Sequence, residues 1–193
     1  MDENIISDAW RTIIKEIGEN PNREGLIDTP KRIAKMYKEL FRGYDETQKP
    51  KVTTFNNGSD GLVYDTMICD EGNFYSQCEH HVVPFFGQYY FAYIPNPKGK
   101  ILGISKVARV VDYYAARLQV QERLTQDIVN YIWEELCKDG SPEPLGMALI
   151  MKGEHLCKTM RGVKKKGRMT TSVVKGLFRT EPEVRAEFME LIK

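Results

Sequence analysis

Between residues 61 and 193 the hydrophobic pattern runs strand, strand, helix, helix, strand, strand, and that order restricts the fold more than any single residue does. LVYDTMICD and the aromatic-rich VVPFFGQYYFAYIP read as strands, and NPKGK turns the chain after them. SKVARVVDYYAARL reads as a helix. VQERLTQDIVNYIWEELCK reads as a longer one, with Val120, Leu124, Ile128, Ile132 and Leu136 in one stripe. Beyond GSPEPLG, two more strands are expected: LGMALIMKGEH, continuing through CKTMRGV, and RMTTSVVKGLF. EPEVRAEFMELI closes the chain as a short helix. The fold class is therefore α+β, a mostly antiparallel sheet with two helices on one face. The other face would need cover, which makes assembly with further copies an expectation.

Upstream lies an N-terminal helical extension and linker, residues 1–60, ahead of the main domain at 61–193. Residues 3–18 suit a helix with Ile5, Ile6, Trp10, Ile13, Ile14 and Ile17 towards one side. DTPKRIAKMYKELFRGY suits a second, with a cap at Asp28 or Thr29, Pro30 in the first turn and Gly43 past its end. The polar, Gly/Asn-rich stretch 45–60 reads as a linker into the main domain.

Several function classes are disfavoured. MDENIISDAW begins acidic and has no continuous apolar core, and no apolar run approaches the roughly 20 residues that span a bilayer. A formal charge of +1 gives no general case for nucleic acid or a membrane surface. The KKKGR cluster at 164–168 lacks interleaved aromatics and reads as an exposed turn. Four widely spaced cysteines without an export signal point to a cytoplasmic chain with reduced thiols, free to bind metal.

The chemistry concentrates in two short segments. FYSQCEHHVVPFFG carries Cys78, Glu79, His80 and His81, and EHLCKTMRG carries His155 and Cys157. All three histidines of the chain lie there. Cys78 and His81, three apart, project to the same side on a helical turn or tight bend. His155 and Cys157, two apart, share a face on a strand. Two metal readings follow. If His155 also ligates, Cys2His2 closes a structural zinc site. If only Cys78, His81 and Cys157 ligate, a fourth position stays open to water, and His80 and His155 are left to carry protons. An adjacent histidine pair is better used in the open site.

Basic residues recur nearby. Lys106 and Arg109 lie one turn apart on the helix beginning at Ser105, whose N-terminal amides suit an anion. Arg161 follows Cys157 by four residues, and Arg32 and Lys35 are one turn apart on the second helix. Lysines and arginines on helices are mostly solvated surface, so these favour a polyphosphate only weakly. Glu122, in RLQVQERLT, opens the longest helix, where a carboxylate either complements the helix dipole or accepts hydrogen bonds from a purine.

NPNREGLIDTPKRIAKMYKELFRGY, FYSQCEHHVVPFFG, AYIP, GISKVARVV, RLQVQERLTQ, HLCKTMRGV and TSVVKGLF together resemble the GTP cyclohydrolase I family, in the family's order across nearly the whole chain. The resemblance implies a tunnelling fold and a homodecamer with active sites between subunits. It implies Zn2+ on Cys78, His81 and Cys157, and hydrolysis of GTP at C8 of the purine. His80 and His155 would shuttle protons, and formate and 7,8-dihydroneopterin triphosphate would result. Ser105 matches a residue near the ribose, Gln121 and Glu122 match positions that hold guanine, and Lys35, Lys106, Arg109 and Arg161 match triphosphate contacts. Two departures are visible: GRMTTS is about one residue shorter than the family's usual segment, and Tyr90 stands where a histidine is common. The alternatives are a related tunnelling-fold enzyme for another purine or pterin, and a zinc-stabilised binding protein without turnover.

Overall fold

Asp2 starts the first helix in the way a short acidic side chain can, its carboxylate accepting from the main-chain N–H groups of Asn4 and Ile5. A computed structural model describes residues 1–193. The first helix, α1 (Glu3–Glu16), packs on α2 (Thr29–Leu40), which has Pro30 in its first turn. Trp10 meets Tyr37 edge to face at 6.3 Å. Only Ile14 of α1 is buried, and Ile5, Ile13 and Ile17 are exposed, so the apolar side expected for this helix is mostly uncovered within one chain.

The stretch expected to be a linker is tied down. Two 3-10 turns, Arg42–Tyr44 and Glu46–Gln48, lead to strand β1 (Thr54–Asn56). The Tyr113 hydroxyl donates to the carbonyl of Asp45, and the Tyr131 hydroxyl donates to that of Pro50. Next come β2 (Ile68–Cys78), β3 (Pro84–Ile94) and β4 (Lys100–Leu102), the last pairing antiparallel with β1. Helix α3 (Ser105–Ala115), the two-residue β5 (Leu118–Gln119) and α4 (Gln121–Leu136) follow. Then come β6 (Gly146–His155), the single turn α5 (Leu156–Thr159), β7 (Arg168–Gly176), α6 (Leu177–Thr180) and α7 (Pro182–Leu191). The main sheet has the order β5-β2-β3-β6-β7, antiparallel except where β5 pairs with the last two residues of β2.

Two of the expected strands differ at boundaries that bear on the site. Residues 62–66 form no strand; the first long strand begins at Ile68 and runs through DEGNFYSQC to Cys78. Asp, Gly and Asn are poor strand formers, and here a tertiary contact overrides them. The Tyr89 ring lies against Gly72, where a Cβ would approach it to 2.8 Å, and its hydroxyl donates to Asp70 at 2.9 Å. The strand expected to continue through CKTMRGV instead stops at His155, and Cys157 lies on α5. His155 and Cys157 therefore do not share a strand face.

The core lies between the sheet and α3 and α4, built from Phe74, Phe85, Phe91, Val110, Leu124, Ile128, Leu149 and their neighbours. Alternation along the strands sends Ala92, Ile94, Ala148 and Ile150 to the opposite face, where Phe178 and Phe188 cover them. That face, expected to lack cover within the chain, is half covered by its own C-terminal helices. The remainder is polar and open, with Tyr75 70% exposed and stacked on Phe86. No helix is long and apolar enough to cross a membrane.

Candidate active site

The end of β2 and the end of β6 meet on opposite sides of β3, whose Phe85 lies directly across from His155. Cys78 is the last residue of β2. Its N–H donates to the carbonyl of Val83 and its carbonyl accepts from Val82, closing the tight bend that the spacing requires. Val82 has φ 52, a conformation that costs a β-branched residue about 1–3 kcal/mol. The strained turn brings His81 round to Cys78, with Nδ1 at 3.9 Å from Sγ. Across the sheet, α5 delivers Cys157, and the ligand atoms of Cys78, His81 and Cys157 all lie within 4.8 Å of one another.

This donor set fits a zinc ion. Two thiols and an imidazole are the ligands that zinc prefers. Burial raises the pKa of Cys157, and the neighbouring Cys78 thiol raises it further. His155 is not a member of the group. Its Nε2 lies 2.9 Å from Gln121 Oε1, and its ring stacks on Phe85 at 4.5 Å with 6° between planes. That placement disfavours the closed Cys2His2 arrangement and leaves three protein ligands. Burial lowers the His155 pKa, opposed by the carboxylate of Glu122 and reinforced by Lys158.

Around this centre, His80 is largely exposed, with Nδ1 at 3.8 Å from Cys78 Sγ. Glu79 takes two hydrogen bonds from Arg123, which hold its carboxyl below the usual range. Arg161 Nη1 lies 2.8 Å from His81 Nε2, so the basic side chain expected near the site does reach it, from the turn after α5. Gln121 and Glu122 form the first turn of α4. Glu122 is exposed, whereas Gln121 is fully buried with its side chain turned inwards. The family resemblance groups the two as base contacts. In the sequence, the inward direction of Gln121 is detectable only as one more member of the buried stripe at 121, 124, 125 and 128.

The remaining expected residues are not brought to this centre. Ser105 and Lys106 open α3 beside Ile104 and Val107, which line a cavity of about 200 Å³ with Ile68 at the start of β2. Ile68 and Cys78 are the two ends of an 11-residue strand, roughly 30 Å apart. Arg109 is exposed one turn further along α3, in a cleft with Arg42, Gln48 and Asp112. Lys35 is exposed on α2.

The sequence profile of the GTP cyclohydrolase I family matches residues 6–193. The chain belongs to the GTP cyclohydrolase I family. It is 49% identical over 187 residues to GTP cyclohydrolase 1 of Geobacillus kaustophilus, covering 96% of this chain and 94% of that one. The Clostridium kluyveri GTP cyclohydrolase 1 is 47% identical over 197 residues, with 100% and 99% covered. That of Bacillus subtilis is 47% identical over 190 residues, with 97% and 94% covered. Among solved structures, archaeosine synthase QueF-Like in its apo form gives a TM-score of 0.42 at 16% identity over 57% of this chain and 93% of that one, too loose a likeness to carry a fold assignment. The match to the GTP cyclohydrolase I family includes both halves of the metal group and the start of α3, at the other end of β2.

Proposed function

We propose that this chain is a zinc-dependent GTP cyclohydrolase of the tunnelling fold, converting GTP to 7,8-dihydroneopterin triphosphate and formate. The observation that carries the proposal is the three-ligand group Cys78, His81 and Cys157 with two further histidines beside it that are free of it. Zinc bound there would supply Lewis acidity, bringing the pKa of a water towards about 7 and so furnishing a nucleophile for C8 of the purine. His80 and His155 move the protons that ring opening requires, one accepting from the attacking water and the other donating to the nitrogen that leaves C8. A second water then cleaves the remaining bond from the formyl carbon to nitrogen, so that formate departs, and the ribose rearranges and recloses onto the freed amine with loss of water. Glu122, exposed on the first turn of α4, accepts from N1–H and the 2-amino group of guanine.

Ser105, Lys106 and Arg109 serve ribose and triphosphate from a second copy of the chain. The first turn of α3 has no side-chain cap, which leaves main-chain N–H groups for an anion. The length of β2 separates Ser105 and Lys106 from the metal group of the same chain, which supports this sharing. Two sheet edges are unpaired: the outer side of β7, and β2 before Gln77, since β5 covers only Gln77 and Cys78. Different edges on the same subunit suit head-to-tail closure into a ring, as in a homodecamer built of rings. Incubation of the zinc-loaded protein with GTP, following formate and the triphosphate product by chromatography, tests the reading. GTP left intact by fully metallated protein overturns it.

A further inference from the structure

Gln121 is fully buried, and every polar atom of its side chain is engaged. Its Nε2 lies 2.9 Å from the carbonyl of Met151 on β6, 3.1 Å from that of Met169 on β7 and 3.1 Å from Thr171 Oγ1. Main-chain carbonyls only accept, so the NH2 group must face them. The reversed amide would turn its oxygen onto two carbonyl lone pairs and leave an NH2 hydrogen without an acceptor. The orientation of Gln121 is therefore fixed by two strands, and Oε1 is the atom presented to His155 Nε2 at 2.9 Å. An amide oxygen accepts and cannot donate, so the ring must carry its proton on Nε2.

Further contacts hold the amide where it is. Thr125 Oγ1 donates to the main-chain carbonyl of Gln121 at 2.7 Å and lies 2.7 Å from Thr171 Oγ1, joining α4 to β7 beneath the carboxamide. Residue 153 is a glycine, and a Cβ there would sit 2.4 Å from Gln121 Oε1. Phe85 fixes the plane of the His155 ring from the β3 side.

Resting on the function proposed above, we infer that Gln121 is a positioning residue: through a strand-anchored amide it holds His155 in the Nε2–H tautomer and leaves the Nδ1 lone pair for proton transfer. Its side chain does not read guanine. The two roles separate kinetically. Removing a hydrogen bond to the base that is equally strong in ground and transition states raises KM, whereas a misoriented imidazole lowers kcat.

The test uses zinc-loaded wild type, Gln121→Met and Gln121→Glu, with 15N-histidine spectra recorded alongside kinetics. The chain has three histidines, so the His155 signals are assigned by their disappearance in His155→Ala. In wild type, His155 should show a protonated, pyrrole-like Nε2 and a pyridine-like Nδ1. Gln121→Met should shift that pattern and lower kcat about 10²-fold, the lower end of what a general acid–base group contributes, with KM for GTP and zinc content little changed. Gln121→Glu keeps an acceptor facing Nε2 and, when its other oxygen is protonated, a donor for the carbonyls. It should restore the wild-type tautomer and part of kcat. An unchanged His155 pattern in Gln121→Met, or an effect confined to KM, overturns the inference. Should Gln121→Met fail to fold, Thr171→Val loosens the same amide and should lower kcat in the same direction, about 10-fold. An unaltered kcat with unaltered spectra there overturns it equally. The spectra do not depend on turnover, so wild type that makes no product would sink the proposed activity and leave the tautomer question answered separately.

Discussion

The two ends of β2 are built differently. At the Cys78 end, two sulfurs, two adjacent histidines, His155 and Arg161 gather within one chain, and the innermost of them is fixed by a buried amide. At the Ile68 end there is an apolar cavity, and the polar groups beside it, Ser105 and Lys106, meet no partner with which they could do chemistry. The metal end is organised before any substrate arrives; the other end presents an uncapped helix start and basic side chains. On the proposed function, the metal end is the half-site for bond-breaking and the start of α3 the half-site for an anionic tail, and the length of β2 separates them within one chain.

The most severe test of that division removes a sulfur. Cys157→Ala should lose zinc and all measurable turnover, since the remaining cysteine and histidine leave the group below the three protein ligands of a catalytic zinc site. Full zinc occupancy by metal analysis would show that α5 does not belong to the metal end. Next in size is His80→Ala, which should keep its zinc and lose about 10² to 10⁴ in kcat, the usual worth of a general acid–base group. If it sheds metal as readily as the cysteine variant, the roles of His80 and His81 are exchanged.

Much of the metal end is legible in the sequence because its signals are local. The Cys78–His81 spacing needs only a tight bend, and the structure supplies one with Val82 at φ 52. The choice between three and four ligands is not legible. It turns on the contact of Gln121 with His155, 34 residues apart in sequence, and no periodicity reports such a pairing. The start of β2 is hidden for a related reason: Gly72 and Asp70 look like turn residues until Tyr89 is laid across them. The helices α3 and α4 are clear from the hydrophobic pattern, but that pattern does not say which end of the sheet a helix begins over. The separation of Ser105 from Cys78 had to come from the structure.

Glu122 tests the guanine side of the metal end. It lies on the metal-end helix next to Gln121, yet it is exposed where Gln121 is buried. Glu122→Gln keeps the shape and removes the charge, so it should lower kcat/KM for GTP about 10- to 100-fold, as expected for a hydrogen-bonded pair that loses its charged acceptor. Zinc content and melting temperature should stay put. A slightly less stable protein with normal turnover would mean that Glu122 only complements the helix dipole.

The smallest expected departure from wild type comes from mixing two dead proteins. Cys157→Ala lacks the metal end but keeps α3 intact, and the double variant Lys106→Ala, Arg109→Ala has the opposite defect. If each active site takes its metal end from one copy and its α3 end from the next, unfolding and refolding the two together redistributes the halves. In a random equal mixture about a quarter of the sites draw both intact halves, so activity should recover to about a quarter of wild type per subunit. If each chain completed its own site, every site would carry one defect and mixing would recover nothing. The unmixed variants, refolded alone, control for partial activity, and zinc analysis should give half occupancy in the mixture under either arrangement. Recovery near a quarter therefore reports the sharing of sites and not the metal, while its absence would place both ends of β2 in service of a single chain, against the roughly 30 Å of strand between them.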